Sequence, residues 1–289
     1  MSDIESLASG KGAGDENFPV ASVLIAPRHR PVVMAFYRVA RMSDDVADHP
    51  ALSPAEKLSR LAAIEASLTD ENNTVPAAAT LRRVLASRGL SDQHMLDLLE
   101  AFRRDAVKTR YADWDELMDY CRYSAAPVGR FMLDVHGESR ETWPASDALC
   151  AALQVNNHLQ DCGKDYRDLD RVYLPLDALT AAGIDVRALG EAKAGPALRG
   201  VIAGLAERTA DLLRTARPLN PVVRDTRLAL EIGVIQTLAE DLTGKLLRRD
   251  PLSEKVHHSR IEALGIALKG AAGVLAKRVS SRPAGRPRA

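Results

Sequence analysis

The sequence predicts an all-α protein. Aromatic residues make up only 4% of the 289 residues, while alanine, leucine, arginine and aspartate dominate. The strict alternation of polar and apolar residues that marks β-strands is nearly absent. Apolar residues recur instead at the spacing of an α-helix along most of the chain. We therefore expect a bundle of helices rather than a mixed or all-β fold.

Composition divides the chain into three parts. The sequence predicts a flexible lead-in over residues 1–16 and a single helical domain over residues 17–279. It predicts a disordered basic tail over residues 280–289. The tail is rich in arginine, proline and glycine, and we expect it to aid solubility. Contact with acidic lipid or with RNA is the alternative role for such a tail.

Start and stop signals mark the individual helices. A capping box runs from Ser53 to Glu56, with a proline at the first helical position. Pro127 and Gly129 predict a kink or break inside another helix. A loop with short helical pieces is expected over residues 169–190. The predicted helices span residues 31–48, 54–69, 76–87, 91–107, 113–137, 146–165, 195–216, 221–247 and 256–279, with a less regular helical pattern from residue 18.

Charge and cysteine content exclude several classes of function. The chain has 39 basic and 39 acidic residues, so its net charge gives no general attraction to nucleic acid. Its three cysteines form no Cys-x-x-Cys pair, which argues against a disulfide framework or a zinc site. The first residues lack the apolar core of a signal peptide. We expect a cytoplasmic protein, with peripheral contact to the inner membrane left open.

A polar stripe marks the C-terminal half of the helix predicted over residues 146–165. Gln154, Asn157, Asp161 and Asp165 follow one another at three- and four-residue steps, which place them side by side on one face. Burying such oxygens is costly unless a cation neutralises them. Mg²⁺ prefers a few carboxylates together with water and phosphate oxygens. By itself the stripe is equally compatible with a solvated helix face.

A second stripe closes the first predicted helix. Tyr37, Arg41, Asp44 and Asp48 share one face of a helix that is otherwise apolar enough to lie in a core. If the two helices face each other, four carboxylates enclose a cluster of Mg²⁺ ions. Such a cluster would bind a highly charged anion, and diphosphate is the natural candidate.

Three motifs carry a family resemblance. They are FYRVARMSDDVAD (residues 36–48), YCRYSAAPVG (residues 120–129) and QxxNxxxDxxxD (residues 154–165). In type, order and separation they resemble the squalene/phytoene synthase family. The resemblance implies an isoprenoid synthase fold, a single helical domain around a central apolar cavity. It also implies two or three Mg²⁺ ions held by the two aspartate motifs against an allylic diphosphate.

The resemblance also implies roles for individual residues. Asp45 is expected to support the first motif, and ordinary surface charge is the alternative for Lys255 and Arg260. The implied metal ligands are Asp44, Asp48, Asn157, Asp161 and Asp165. The implied catalytic residues are Asp44, Asp48, Asp161, Asp165, Tyr37 and Arg41. The implied substrate-binding residues are Asn17, Phe18, Arg41, Tyr120, Gln154, Asn157, Lys255 and Arg260.

Aromatic side chains are expected to wall the cavity and to stabilise a carbocation. His158 lies among the motif residues but is interpreted as structural, because it falls on a different helix face from Asn157 and Asp161. Ordinary core packing is the alternative for each aromatic residue. The candidate walls are Phe18, Phe36, Tyr37, Tyr120, Tyr123 and Phe131.

Two departures from the condensing members of the family point to one branch. Residues 15–20 replace a serine-containing segment, and Gln160 stands where those enzymes usually carry arginine. Both features resemble the hopanoid-pathway branch, which converts presqualene diphosphate to hydroxysqualene without NADPH. Condensation of two farnesyl diphosphates is the enzymatic alternative, and a non-catalytic assembly module is the alternative of another class. No nucleic-acid partner is expected, whereas contact with a membrane or with neighbouring pathway enzymes is left open.

Overall fold

The computed structural model of the protein describes residues 24–70 and 73–280. These residues form helices joined by turns, and the β-type pairing among them is one isolated bridge between Arg110 and Val172. The all-α prediction is confirmed. The predicted lead-in, Asn17, Phe18 and residues 281–289 of the predicted tail lie outside the described residues.

Twelve α-helices follow one another within the described residues. They are α1 (Arg30–Asp48), α2 (Pro54–Thr69), α3 (Pro76–Ser87), α4 (Gln93–Val107), α5 (Trp114–Ser124), α6 (Ala126–Val135), α7 (Trp143–Leu169), α8 (Leu176–Ala181), α9 (Pro196–Ala216), α10 (Leu219–Val222), α11 (Thr226–Leu246) and α12 (Arg260–Ser280).

Most helix ends follow the local signals in the sequence. The Ser53 hydroxyl accepts a hydrogen bond from the Glu56 amide, and the Glu56 carboxylate accepts one from the Ser53 amide, as a capping box requires. The break expected near Pro127 occurs two residues earlier, at Ala125, because Pro127 lies in the first turn of α6. The helix predicted over 221–247 is divided, since Asp225 caps a new helix by accepting hydrogen bonds from the amides of Arg227 and Leu228.

Two groups of helices each pack around an apolar cluster. The first half packs α1 against α2, α3 and α4 around buried side chains such as Val39, Leu61 and Leu99. The second half packs α7 against α6, α9 and α11, around residues such as Leu159 and Leu205. Polar residues of α1 and α7 line one cavity that lies between the two groups. No helix among residues 24–70 and 73–280 is long and apolar enough to span a lipid bilayer.

Glycines allow α11 and α12 to approach closely. A Cβ atom on Gly270 would lie 2.8 Å from the backbone oxygen of Gly233 and 2.8 Å from Oγ1 of Thr237. A Cβ on Gly233 would lie 2.3 Å from a methyl group of Val274. These contacts hold α12 against the outer side of α11.

Replacing Gly270 therefore tests the packing of the last helix. We expect Gly270→Ala to lower the free energy of unfolding by about 1–3 kcal/mol, because the new methyl group meets backbone that cannot move aside. Gly273→Ala is the matched control, since nothing lies within 4 Å of its added Cβ. That variant should be neutral or more stable by up to about 1 kcal/mol. Urea unfolding of both variants measures the difference, and equal effects would contradict this packing.

Candidate functional site

A polar cavity of about 450 Å³ lies between α1, α4, α5 and α7. It brings both predicted stripes to the same space, one on each side. Its lining comprises Tyr37, Ala40, Arg41, Asp44, Asp48, Phe102, Asp105, Tyr120, Ser124, Gln154, Asn157, His158, Asp161, Asp165, Leu169, Arg171 and Tyr173.

The α1 side of the cavity is organised by Arg41. Its guanidinium group lies 3.0 Å from an Asp44 carboxylate oxygen and donates a 2.6 Å hydrogen bond to Asp45. The Asp45 side chain is buried and lies behind the lining, so it orients Arg41 as expected for a supporting residue. Burial and the neighbouring carboxylate of Asp48 raise the pKa of Asp44 to about 7, although Arg41 opposes the shift.

The α7 side presents four oxygen-bearing side chains at helical spacing. Gln154, Asn157, Asp161 and Asp165 all line the cavity. Burial and the nearby Asp161 raise the pKa of Asp165 to about 7. The adjacent Asn156 points the other way, where its amide group donates a 3.0 Å hydrogen bond to Thr243 of α11. One helix thus anchors to the core on one face and presents polar atoms to the cavity on the other.

A third wall of the cavity, formed by Asp105, Tyr120, Arg171 and Tyr173, joins the two aspartate pairs. Asp105, near the end of α4, accepts hydrogen bonds of 2.8 Å from the Tyr120 hydroxyl and 3.2 Å from the Tyr173 hydroxyl. Burial raises the pKa of Asp105 to about 6, and Arg171 opposes that shift. Arg171 also donates a 2.9 Å hydrogen bond to Asp48 on α1. This buried network links α1, α4, α5 and the segment that follows α7.

A left-handed turn places Arg171 in the cavity. Asp170 ends α7 with φ of 47°, a conformation that aspartate tolerates better than most residues. Arg110 pairs with the Asp170 carboxylate at 2.5 Å. The amide of Val172 then donates a 2.9 Å hydrogen bond to the carbonyl oxygen of Thr109. The chain is therefore fixed on both sides of Arg171.

An apolar cavity of about 300 Å³ adjoins the polar one. Both cavities share Tyr37 and Ala40, which mark the boundary between them. Phe36 and Phe131 line the apolar side, with ring centroids 3.9 Å apart. A ligand with a charged head and a hydrocarbon tail would fit across the boundary.

The charges of the polar cavity do not balance. Its lining contains five aspartates and two arginines, a formal charge of −3 when all are ionised. The raised pKa values of Asp44, Asp105 and Asp165 reflect this crowding together with burial. Among the described residues, no three histidine, cysteine, aspartate or glutamate side chains converge on a single metal position. The protein oxygens therefore suit hard cations that also take ligands from water or from a bound anion.

The structure brings together most of the predicted site residues, but not all of them. Lys255 and Arg260 are exposed and lie outside the lining of both cavities. Tyr123, predicted as a wall, lies instead beneath the Arg104 guanidinium group, 4.3 Å from its ring centroid. Gln160 is buried, and its amide group donates a 2.5 Å hydrogen bond to the carbonyl oxygen of Val256 rather than facing the cavity.

His158 lies closer to the site than its different helix face suggested, and its interpretation as a structural residue stays a prediction. It lines the polar cavity and stacks on Tyr173 at 3.5 Å between ring centroids. Burial lowers the pKa of His158 to about 3, so the ring is neutral at physiological pH. The reasoning from helix faces missed this contact because Tyr173 belongs to a segment that the sequence placed in a loop.

Three residues of the third wall were absent from the predicted site. Asp105 carried a usable signal, because it falls on the apolar face of α4 with Leu98 and Ala101, where a charge is unusual. Arg171 and Tyr173 follow the second stripe in the chain but have no periodic pattern of their own. Their position depends on the left-handed turn and the contact with residues 109–111.

Comparison with known proteins places these features in a family. Residues 12–262 match the sequence model of the squalene/phytoene synthases. A hydroxysqualene synthase from Rhodopseudomonas palustris is 58% identical over 91% of this chain and 90% of its own length. One from Zymomonas mobilis is 53% identical over 93% of this chain and 92% of its own length. The crystal structure of squalene synthase HpnC from Alicyclobacillus acidocaldarius superposes with a TM-score of 0.71, at 32% identity, covering 85% of this chain and 92% of that one.

The raised pKa of Asp44 predicts that the free energy of unfolding of the metal-free protein depends on pH. The folded-state pKa exceeds the ordinary value, so the native state holds the extra proton, and stability falls as the pH rises from about 4 to about 7. Asp44→Asn removes the ionisable group. We expect it to raise the free energy of unfolding at pH 8 by about 1 kcal/mol, allowing for solvent screening of a side chain that is 35% exposed.

Urea unfolding in the presence of a chelator, at pH 4 and pH 8, measures this effect. At pH 4 the variant should gain much less stability than at pH 8. Asp168→Asn is the control, because Asp168 is exposed on the same helix as Asp165 but lies outside the cavity lining. A loss of stability at pH 8, or an equal gain at both pH values, would contradict the electrostatic account.

Proposed function

This chain belongs to the squalene/phytoene synthase family, and we propose that it is a hydroxysqualene synthase. It would convert presqualene diphosphate to hydroxysqualene with release of diphosphate, in squalene and hopanoid biosynthesis. The observation that carries this proposal is sequence identity. More than half of the aligned residues are identical to those of two hydroxysqualene synthases, along nearly the whole chain. An acidic cavity joined to an apolar one supports it, because presqualene diphosphate has both parts.

We propose Mg²⁺ as the cofactor, with two or three ions. The donors available are carboxylate and amide oxygens, which suit a hard cation. Asp44 and Asp48 would hold ions from α1, while Asp161, Asp165 and Asn157 would hold them from α7. When bound, the ions neutralise charge on the departing diphosphate.

The protein's own cations and amides would orient the anion. Arg41 and Arg171 are the arginines of the polar cavity, and each is fixed by two aspartates. Guanidinium groups held in this way are suited to phosphate oxygens. Gln154 would add an amide contact from α7. The expectation of substrate contact by Asn17 and Phe18 stays a proposal, whereas Lys255 and Arg260 lie outside the lining of both cavities.

The apolar cavity would hold the hydrocarbon and keep most water away from the cation. Tyr37 lies at the boundary, where the C–O bond would break, and Tyr120 and Tyr173 line the polar cavity. Aromatic faces stabilise a nearby cation by about 0.5–2 kcal/mol each. The buried Asp105 holds both tyrosine hydroxyls and thereby fixes the orientation of their rings.

The reaction balances without a reductant. The C–O bond breaks, and its electron pair leaves with the diphosphate. The cyclopropylcarbinyl cation rearranges, a water oxygen bonds to the resulting cation, and that water loses a proton. The reaction is therefore carbon–oxygen lyase chemistry on a prenyl diphosphate, with no requirement for NADPH.

Head-to-head condensation remains the enzymatic alternative, and the identity to two hydroxysqualene synthases argues against it. The resemblance to that branch at Gln160 does not act through the cavity itself. The Gln160 amide group donates a hydrogen bond to the Val256 carbonyl oxygen and lies outside the cavity lining, so it makes no contact with diphosphate there.

The test is turnover of presqualene diphosphate with Mg²⁺ in ¹⁸O-labelled water, without NADPH. We expect hydroxysqualene whose hydroxyl oxygen carries the label, because solvent captures the cation. Mass analysis of the extracted lipid detects the shift. Farnesyl diphosphate alone, with and without NADPH, is the control for condensation.

Each alternative has its own signature in this experiment. An unlabelled alcohol would exclude capture by solvent water. A requirement for NADPH, or efficient use of farnesyl diphosphate alone, would assign the chain to the condensing branch. Absence of diphosphate release from every substrate would favour a non-catalytic assembly role.

A further inference from the structure

The outer face of α12 is a continuous apolar stripe that nothing in the described structure covers. Five of its large side chains are exposed, with 86% of Ile261 and 71% of Val279 accessible to solvent. At 100° per residue all five fall within an arc of about 60°. The members of this stripe are Ile261, Leu264, Leu268, Leu275 and Val279.

The stripe is distinct from the face by which α12 packs on the protein. Gly270 and Val274 are the buried residues of α12, and they contact Gly233 and its neighbours on α11. A surface helix usually has one apolar face, which it buries in the core. A second apolar face in line along the helix marks a surface for interaction.

Charge distinguishes this end of the chain from the rest. Residues 260–289 contain seven basic residues and one acidic residue, a formal charge of +6, so residues 1–259 carry −6. Arg260 and Lys269 are exposed on α12, one on each side of the arc of the apolar stripe. The single acidic residue, Glu262, already pairs with Lys245 and accepts a hydrogen bond from the Ser259 amide.

We propose that α12 docks the protein on an anionic lipid surface, lying in the plane of the membrane with its apolar stripe inserted. Helices with an apolar face flanked by basic residues bind membranes in this way. A dimer through α12 would instead bring two strongly basic segments together without acidic partners, which like-charge repulsion disfavours. Twenty-one residues give α12 a length of roughly 30 Å.

The placement of α12 is suited to a lipid ligand. α11 lies directly beneath it and contributes Leu228, Ile232 and Ile235 to the lining of the apolar cavity. α12 and the apolar cavity therefore lie on opposite sides of one helix. The apolar stripe on α12 is exposed regardless of which reaction takes place in the cavity, so this proposal does not rest on the proposed function.

Vesicle co-sedimentation of the full chain tests the proposal. Vesicles of phosphatidylcholine alone are compared with vesicles that also contain phosphatidylglycerol. We expect binding to the anionic vesicles, weakened by salt. The double variant Leu264→Gln/Leu268→Gln should partition at least roughly tenfold less, because the inserted apolar area is lost. Lys269→Gln should lower binding about fivefold, the effect of one basic residue near an anionic surface.

Val107→Gln is the matched control, because Val107 is 61% exposed on α4, away from α12. It should bind vesicles like the unmodified protein. Circular dichroism and diphosphate binding should be unchanged in all variants, which separates this surface from the active site. No binding to anionic vesicles, or equal binding by the double variant, would overturn the proposal. A lipid-free dimer that the double variant converts to a monomer would show that a second copy covers the stripe.

Discussion

Excess negative charge in one cavity is the constraint on which the rest of the site depends. Carboxylates removed from bulk water repel one another and favour their protonated forms. Burial is the leading cause of the raised pKa of Asp44 and Asp165, and a neighbouring aspartate adds to it in each case. A diphosphate cannot approach such a cavity favourably until cations have neutralised it. The same negative charge that destabilises the metal-free protein therefore favours a metal-dependent anion site.

The surrounding structure holds these charges in place by rigid contacts. Asp45 fixes Arg41 on α1, and Asn156 fixes the opposite face of α7 to α11. Arg171 bridges toward Asp48 and Asp105, so the two halves of the molecule meet through hydrogen bonds as well as packing. Such contacts fix the orientation of charged groups before substrate arrives, which is the main protein contribution to electrostatic stabilisation.

Local chemistry explains what the sequence could predict. The first residues of α2 and α3 follow from a capping box in α2 and from prolines in the first turn of both helices. The two acidic stripes follow from helical spacing. The third wall could not be predicted in the same way. Arg171 reaches the cavity because a left-handed Asp170 turns the chain and because residues 109–111 hold it, and neither contact has a periodic signature. Lys255 and Arg260 show the converse limit, since a basic residue whose position matches a basic position of the family need not line the cavity in space.

Calorimetric titration with diphosphate tests the central claim that two acidic helices bind one anion through divalent cations. Diphosphate should bind with Mg²⁺ present and fail to bind measurably with a chelator. Asp161→Asn should weaken the Mg²⁺-dependent binding at least about tenfold, equivalent to about 1.4 kcal/mol, whereas Asp168→Asn, on an exposed position of the same helix, should leave it unchanged. Equal binding with and without Mg²⁺, or unchanged binding by Asp161→Asn, would contradict the account.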